Sequence, residues 1–513
     1  MKDGVVGSDH RLMNRPRRHD RSSRLLQLLV FAMALAPIPG LFLQESLMPF
    51  SIRLLGCVLW GASLAPAIGY LRDRAGQRPP IPFLAVIGLL FGLYYALPAA
   101  LGTFGIHWVI TLDPRFDYNL PTVLALEAWC MLLVGYHLLR ARWRRPSSSF
   151  TPQLEPARLK YWGLAMIYLG IALDVLRQAA LVPLAIRGIL QFGVTITWFA
   201  TALLIVLLVR KQLRRTEKTL LLIAVAGNIV LQLGTGSVAT LAIYLTVIIL
   251  AAWVELGSLR ARWILAAVAG ALTVCAMRGV AAEFRSVAWF GGQRLTAADR
   301  ASLMTDLLRD RLRTDGLFKV VSDGVRTVAV RSANLDLFAD VVRRTPDEIP
   351  YWSGETYKSL LGMAVPRFLW PDKPTKALGQ AFGHRYGYLA AQNTSTSVNL
   401  PYMVEFYANF GTVGLLIGML GVGMVYATLE RYTNRPSQPI AASVVGIALL
   451  TPLLNMESDF SLTFGGLFLN ALALRAFLVL MRTRTHTGDQ NAAHAHVRTL
   501  APSQISSALP RRT

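Results

Sequence analysis

The sequence predicts an all-α, polytopic membrane protein with about twelve transmembrane helices and one large external loop. The 513 residues are 54% hydrophobic with a mean hydropathy of +0.44, which is too apolar for a soluble protein of this length. Apolar runs near the roughly 20 residues that cross a bilayer as helix recur along the chain. The basic residues cluster between these runs, as in cytoplasmic loops of membrane proteins. That pattern accounts for the net charge of +23 without a nucleic-acid partner.

The elements follow in order from the hydropathy. Residues 1–24 are hydrophilic and rich in arginine, which predicts a basic cytoplasmic tail ahead of a first signal-anchor helix. Residues 25–279 hold nine predicted spans and residues 402–481 hold three more. The polar tail 482–513 is predicted to be a disordered cytoplasmic segment. The twelve spans are 25–43, 54–71, 82–100, 121–139, 160–176, 188–209, 219–236, 238–256, 263–279, 402–429, 440–456 and 462–481.

The distribution of lysine and arginine predicts the orientation of these spans. With the N-terminus inside, the short inside loops carry the basic clusters, such as 140–145 and 210–218, and the short outside loops carry few. The alternation predicts a multi-pass membrane protein with both termini in the cytoplasm. A count from ten to fourteen helices preserves the alternation.

The same alternation places residues 280–401 outside as one large external loop. Within it, Thr296 and Asp299 have the spacing of a capping box, followed by leucines at helical spacing. A second amphipathic stretch covers residues 334–342, and a third covers 355–365 and stops at Pro366. We expect these helices to lie on the outer membrane surface or to cap a cavity.

Ionisable residues inside predicted spans are costly and mark candidate functional positions. Asp174 lies three residues before Arg177, which predicts a local ion pair. Five such residues lean towards the external face: Glu127, Asp174, Arg278, Glu457 and Asp459. The three cysteines lie in apolar runs and predict no disulfide framework.

The segment 363–414 is the most informative part of the chain. It contains Pro366-Arg-Phe-Leu-Trp-Pro-Asp-Lys-Pro374, then Gly383-His-Arg-Tyr-Gly387, then Glu405-Phe-Tyr-Ala-Asn-Phe-Gly411. This segment resembles the Wzy-type O-antigen and oligosaccharide repeat-unit polymerases. The resemblance implies a GT-C-like all-helical fold in the bacterial inner membrane, with residues 280–401 as a large periplasmic loop. It implies transfer of a glycan between undecaprenyl-pyrophosphate carriers on the periplasmic side. It also implies a flippase and a chain-length regulator as partners.

Phosphate binding and sugar binding each have candidate residues in or near this segment. Arginine binds phosphate through a fixed fork of donors, and lysine adds a point charge. The candidates for the pyrophosphate are Arg278, Arg367, Lys373 and Arg385. Aromatic rings provide flat apolar faces for sugars, and the candidates are Trp370, Tyr386, Tyr388 and Tyr407.

The acceptor hydroxyl needs a general base, for which Glu405 ranks above His384 and Asp372. Glu405 begins the stretch that re-enters the membrane, where a lipid-linked sugar would meet the protein. No metal-ligand spacing stands out, so we expect catalysis without a metal ion or another cofactor.

Three other functions fit parts of the sequence. A ligase of the same fold would transfer the lipid-linked glycan to a different acceptor, and residue spacing does not separate it from a polymerase. A flippase or transporter of the lipid-linked oligosaccharide would show repeated halves and broken midplane helices. A non-enzymatic assembly partner is the third.

Overall fold

The computed structural model describes most of the chain, and the structure it describes is helical. The described residues are 21–42, 48–72, 81–101, 116–142, 156–178, 190, 192–256, 261–288, 295–363, 378–394, 396–434 and 440–480. No β-strand occurs in these ranges. The predicted all-α class is therefore confirmed.

Nine helices precede the long polar segment. They are α1 (Arg21–Leu35), α2 (Phe50–Arg72), α3 (Phe83–Leu101, with a π-helical turn at Gly92–Ala96), α4 (Asn119–Arg142), α5 (Pro156–Gln178), α6 (Phe192–Val209), α7 (Arg215–Thr235), α8 (Val238–Leu256) and α9 (Ala261–Ala288). A short 3₁₀ turn, Ile38–Phe42, follows α1.

Seven further helices complete the fold. The long polar segment forms α10 (Ala297–Ser332), α11 (Asn334–Arg344), α12 (Lys358–Met363, after a 3₁₀ turn at Glu355–Tyr357) and α13 (Leu378–Arg385). The chain then continues as α14 (Tyr402–Thr433), α15 (Ile440–Leu450, followed by a 3₁₀ turn at Thr451–Leu454) and α16 (Gly466–Leu480, preceded by a π-helical turn at Ser461–Gly465).

Eight of the described helices are long and apolar enough to cross a membrane, namely α2, α3, α4, α5, α7, α8, α9 and α14. The protein is therefore a polytopic membrane protein. The predicted spans 25–43, 188–209 and 440–456 fall on shorter apolar helices, and 462–481 falls on α16, which has 15 residues. The count of twelve stays a prediction.

Helices α4 and α14 pack with their backbones in contact. A Cβ on Gly135 of α4 would lie 2.1 Å from the carbonyl oxygen of Leu420, and one on Gly423 of α14 would lie 2.0 Å from that of Leu132. Glycine on both helices thus lets the two backbones touch, as is common where membrane helices pack through small residues. This contact fixes the axis of α14, on which part of the candidate site is built.

The ion pair predicted on α5 is present. Asp174 is 1% exposed, and its carboxylate accepts hydrogen bonds from Arg177 Nε at 2.8 Å and from Gln232 Nε2 of α7 at 3.1 Å. Charges this deeply buried are stable only when paired and hydrogen-bonded, so the pair also ties α5 to α7.

The helices predicted in the long segment are confirmed where the structure describes them. At the start of α10, the Asp299 amide donates to Thr296 Oγ1 at 3.2 Å and the Thr296 amide donates to Asp299 Oδ2 at 3.0 Å, which forms the predicted capping box. The stretch at 334–342 is α11. The third stretch is the turn at Glu355–Tyr357 plus α12, and its last residues lie outside the described ranges.

Candidate functional site

The candidate site begins with a break in helix α14. Phe410 (φ −143°, ψ 16°) and Gly411 (φ 63°, ψ −152°) leave the helical region, and the helix resumes after them. A break here frees the carbonyls of the preceding turn. Those of Ala408 and Asn409 accept hydrogen bonds from the amides of Trp352 at 3.0 Å and Ser353 at 3.3 Å. The long polar segment thus supplies the partners that the broken helix lacks.

The side chain of Asn409 completes this junction. It is fully buried, and its Oδ1 accepts from the Gly354 amide at 2.8 Å. Its Nδ2 donates to Thr356 Oγ1 at 2.9 Å and to the Glu405 carbonyl at 2.8 Å. Two hydrogen bonds from this buried amide hold residues 352–356 against the first two turns of α14, which are buried at every position, and the third stays within α14.

Glu405 lies on those two buried turns and is itself fully buried. Its Oε2 accepts a hydrogen bond from the Phe460 amide at 2.6 Å, at the point where the last hairpin turns into α16. Its Oε1 is buried and accepts no hydrogen bond of ordinary geometry among the described residues, although the Thr356 hydroxyl lies beside the carboxylate. A buried carboxylate oxygen without a donor is costly and calls for an explanation beyond packing.

Tyr357 adds a second unsatisfied group beside Glu405. Its ring stacks on Phe410 at 6.4 Å and meets Phe460 edge-on at 5.8 Å. In the described part of the chain, its buried hydroxyl has no hydrogen-bond partner. Burial raises the pKa of this hydroxyl, and the nearby carboxylate of Glu405 raises that pKa further. The two groups lie together where α14, the turn before α12 and the chain leading into α16 meet.

Arg385 and His384 lie at the end of α13 on a more accessible face. The guanidinium of Arg385 lies 4.2 Å from the centre of the Trp352 ring, and its Nη2 donates to the Pro350 carbonyl at 2.6 Å. His384 is half-buried, and its side chain makes no hydrogen bond within the described ranges. The indole of Trp352, 8% exposed, holds the Arg385 cation next to the half-buried imidazole of His384, which places a charge and a base side by side.

Tyr386 and Tyr388 have structural partners on the loop side of the site. Tyr386 is buried, its hydroxyl lies 2.6 Å from Thr345 Oγ1, and its ring stacks with that of Tyr388 at 6.0 Å. The Tyr388 hydroxyl donates to Asp340 Oδ2 at 2.6 Å. Burial and this bond to a carboxylate raise the pKa of Tyr388. Both rings therefore brace α13 against α11 rather than present a free face.

The structure brings together only some of the predicted site residues. Tyr407 packs edge-on against Phe338 of α11 at 5.7 Å and is 7% exposed. Arg278 is half-buried on α9, which packs chiefly against α10 and α8 rather than within the assembly of α11, α13 and α14. Four predicted residues lie outside the described ranges: Arg367, Trp370, Asp372 and Lys373.

Several residues of the site had no predicted role. Trp352, Thr356 and Tyr357 lie some fifty residues before α14 in sequence, and no motif links them to it. Asp340, the partner of Tyr388, is 5% exposed in the amphipathic stretch that became α11. The one sequence signal for these residues was an acidic residue on the apolar face of the amphipathic stretch at 334–342.

Sequence comparison with known proteins assigns the chain to one family. No curated protein and no solved structure matches it. Residues 155–435, from just before α5 to just past the end of α14, match a family model described as a domain of unknown function, DUF8712. That match covers more than half of the chain, including the long polar segment and the broken helix. The chain therefore belongs to the DUF8712 family.

Proposed function

We propose that this protein is a Wzy-type polymerase that joins undecaprenyl-pyrophosphate-linked oligosaccharide repeat units into a surface polysaccharide. In the reaction, a hydroxyl of the acceptor sugar attacks the anomeric carbon of the donor glycan. The bond from that carbon to the pyrophosphate breaks, a base takes the hydroxyl proton, and the pyrophosphate leaves on its lipid carrier. The resemblance in residues 366–374 and 405–411 supports this reaction class.

One observation carries the proposal: the buried carboxylate of Glu405, with its unsatisfied Oε1, lies where the long polar segment meets the last helices. Group transfer to a hydroxyl requires such a base within hydrogen-bond reach of the acceptor. Glu405 is fully buried in the described conformation, beside Tyr357 and the Phe460 amide, so the acceptor reaches its carboxylate only when this junction opens. Loop motions commonly gate enzyme sites in this way.

Arg385 suits the pyrophosphate, and the buried Trp352 ring holds its guanidinium in place. A guanidinium has five N–H donors, and the hydrogen bonds of Arg385 in the described part of the chain all use Nη2. The remaining donors suit a phosphate fork. His384, one residue away and half-buried, is the accessible alternative base.

The proposal includes a GT-C-like arrangement of twelve spans in the bacterial inner membrane, with the long segment outside and both termini in the cytoplasm. Single cysteines at Thr314, exposed on α10, and at Thr487 test this orientation in a version lacking Cys57, Cys130 and Cys275. A membrane-impermeant thiol reagent should label the first site in intact cells and spare the second. The reverse pattern would overturn the orientation and the proposed reaction with it.

Two substitutions at Glu405 separate a chemical role from a structural one. Gln keeps an oxygen that accepts from the Phe460 amide but cannot act as the base, whereas Ala removes both functions. If Glu405 is the base, Glu405→Gln should accumulate single lipid-linked repeat units and lower the rate by about 10²–10⁴ at normal protein level. Polymer of normal length from Glu405→Gln, with loss of folded protein in Glu405→Ala, would assign Glu405 to the helix junction alone.

His384→Gln is the matched test of the second base. Loss of polymer in His384→Gln with a functional Glu405→Gln would move the base to His384. The product also separates polymerase from ligase. A defective polymerase leaves single repeat units on the carrier, and a defective ligase leaves finished polymer on it.

Two substitutions at Arg385 separate the contribution of its positive charge from that of its fork of N–H donors. Arg385→Lys keeps the positive charge but loses the fork, so part of the activity should remain, while Arg385→Ala should abolish most of it. Arg309→Ala on α10 is the control, because Arg309 forms only an exposed pair with Asp306 at 3.3 Å. Equal polymer from Arg385→Ala and Arg309→Ala would remove Arg385 from the site.

A further inference from the structure

A second feature lies at the other end of the bundle, away from the long polar segment. An open groove of about 490 Å³ forms where α6 and α8 end and where α7 and α9 begin. Its walls are apolar, and two lysines belong to its lining. The lining residues are Leu208, Val209, Lys211, Lys218, Leu256, Trp263 and Ala266.

The two lysines leave the groove positively charged. The neighbouring Arg210 is neutralised, because its Nε and Nη2 bind the Glu255 carboxylate at 2.8 and 3.0 Å. Glu217 is also engaged, since it accepts from the Arg214 amide at 2.6 Å. Among the described residues, no carboxylate forms an ion pair with Lys211 or Lys218, and both side chains are exposed.

The backbone holds Lys211 in an unusual conformation. Lys211 has φ +60°, in the left-handed region that glycine normally occupies at the end of a helix. Its amide donates to the Leu208 carbonyl at 3.1 Å, and the Gln212 amide donates to the Leu207 carbonyl at 3.0 Å, so the turn has backbone hydrogen bonds of ordinary length. Glycine would form this turn with less strain, and strained positions of this kind concentrate at binding sites.

We propose that this groove binds an anionic phospholipid of the adjacent leaflet. The phosphate lies between the ammonium groups of Lys211 and Lys218, and the glycerol and upper acyl chain lie along Leu208, Val209 and Leu256. Basic pockets between membrane helices are suited to such headgroups. The volume matches the headgroup region of a lipid whose chains remain in the bilayer.

Charge complementarity favours this occupant over the chain's own tails. The N-terminal residues 1–20 and the C-terminal residues 481–513 each carry more arginine and lysine than acid, so two lysines would repel them. A zwitterionic lipid fits the apolar walls equally well but gains less from the lysines. The site should therefore discriminate by headgroup charge.

Native mass spectrometry of the detergent-purified full chain tests the proposal with phosphatidylglycerol and phosphatidylethanolamine at equal concentration. The wild type should retain phosphatidylglycerol preferentially. The double variant Lys211→Gln/Lys218→Gln should bind it about 30-fold more weakly, from the usual contribution of two basic residues near an anionic lipid. Lys211→Arg should retain binding.

The control is Arg214→Gln/Arg215→Gln, which removes the same charge from exposed positions beside the groove. This control should bind phosphatidylglycerol as the wild type does. Ala266→Trp, which fills the groove and keeps both lysines, should lose the lipid. Equal retention of the two lipids by the wild type, or an equal loss in the two double variants, would overturn the proposal.

Discussion

Replacing Gly411 with alanine tests whether the break in α14 organises the candidate site. Gly411 has φ 63° and ψ −152°, a backbone conformation that is essentially restricted to glycine. A Cβ at this position would also lie 2.6 Å from the hydroxyl oxygen of Tyr351. Alanine must therefore either accept strain and displace Tyr351 or straighten the helix.

The cost follows from these two routes. Strain in such a conformation amounts to about 1–3 kcal/mol. Straightening instead withdraws the carbonyls of Ala408 and Asn409 from the amides of Trp352 and Ser353, at about 0.5–1.5 kcal/mol for each lost hydrogen bond. With the displacement of Tyr351, we expect a total loss of roughly 2–5 kcal/mol.

The assay is the apparent melting temperature of the purified protein in detergent, beside polymer length in cells. At about 2 °C per kcal/mol for a large chain, Gly411→Ala should melt roughly 4–10 °C below the wild type. Gly421→Ala is the matched control on the same helix, because a Cβ there meets nothing within 4 Å. It should be neutral or slightly stabilising. Equal melting temperatures for the two variants would refute the argument that Gly411 is required by the break.

The remaining predictions concern buried polar groups. Asn409→Ala leaves three hydrogen-bonding groups without their partner and should lower the free energy of unfolding by roughly 2–5 kcal/mol. An unchanged melting temperature in the same assay would contradict the junction described. Asp174→Asn should lower the free energy of unfolding by up to about 3 kcal/mol. Adding Arg177→Gln should cost less than the sum of the two single substitutions, because either one alone already breaks the ion pair. Tyr388 contributes stability that is fully present below about pH 10 and is lost as pH rises, since its pKa is raised in the fold and the unfolded chain ionises first. Tyr388→Phe should therefore lose less stability than the wild type between about pH 9 and 11, and equal losses would exclude this linkage.

Much of the helical architecture was predictable because hydropathy is a local signal. A run of about 20 apolar residues has few alternatives to a membrane helix, and the capping box at Thr296 and Asp299 is complete within four residues. The short predicted span 160–176 falls within α5, which has 23 residues. Its ends carry Arg158 and Arg177, and such residues can extend beyond the apolar core.

The candidate site was predictable only in part, because its contacts join distant segments. The sequence predicts one uninterrupted span at 402–429, and the structure has a break at Phe410 and Gly411. Glycine occurs in many membrane helices without a break, so Gly411 alone predicts nothing. The break is stabilised by amides of Trp352 and Ser353, which lie more than fifty residues away in sequence. No local pattern encodes that pairing.

The geometry also changes how the segment Glu405–Gly411 bears on function. Glu405 binds the Phe460 amide, Asn409 holds the loop at Gly354, and Gly411 adopts the conformation that breaks the helix. Asn409 and Gly411 are explained by how the long segment is held on the membrane helices, whereas the buried Oε1 of Glu405 is not. A polymerase and a ligase built on this junction would both require them. In the proposed reaction, selection of donor and acceptor would then depend on the more accessible groups nearby, and Arg385 and His384 are the charged or titratable side chains that α13 presents there.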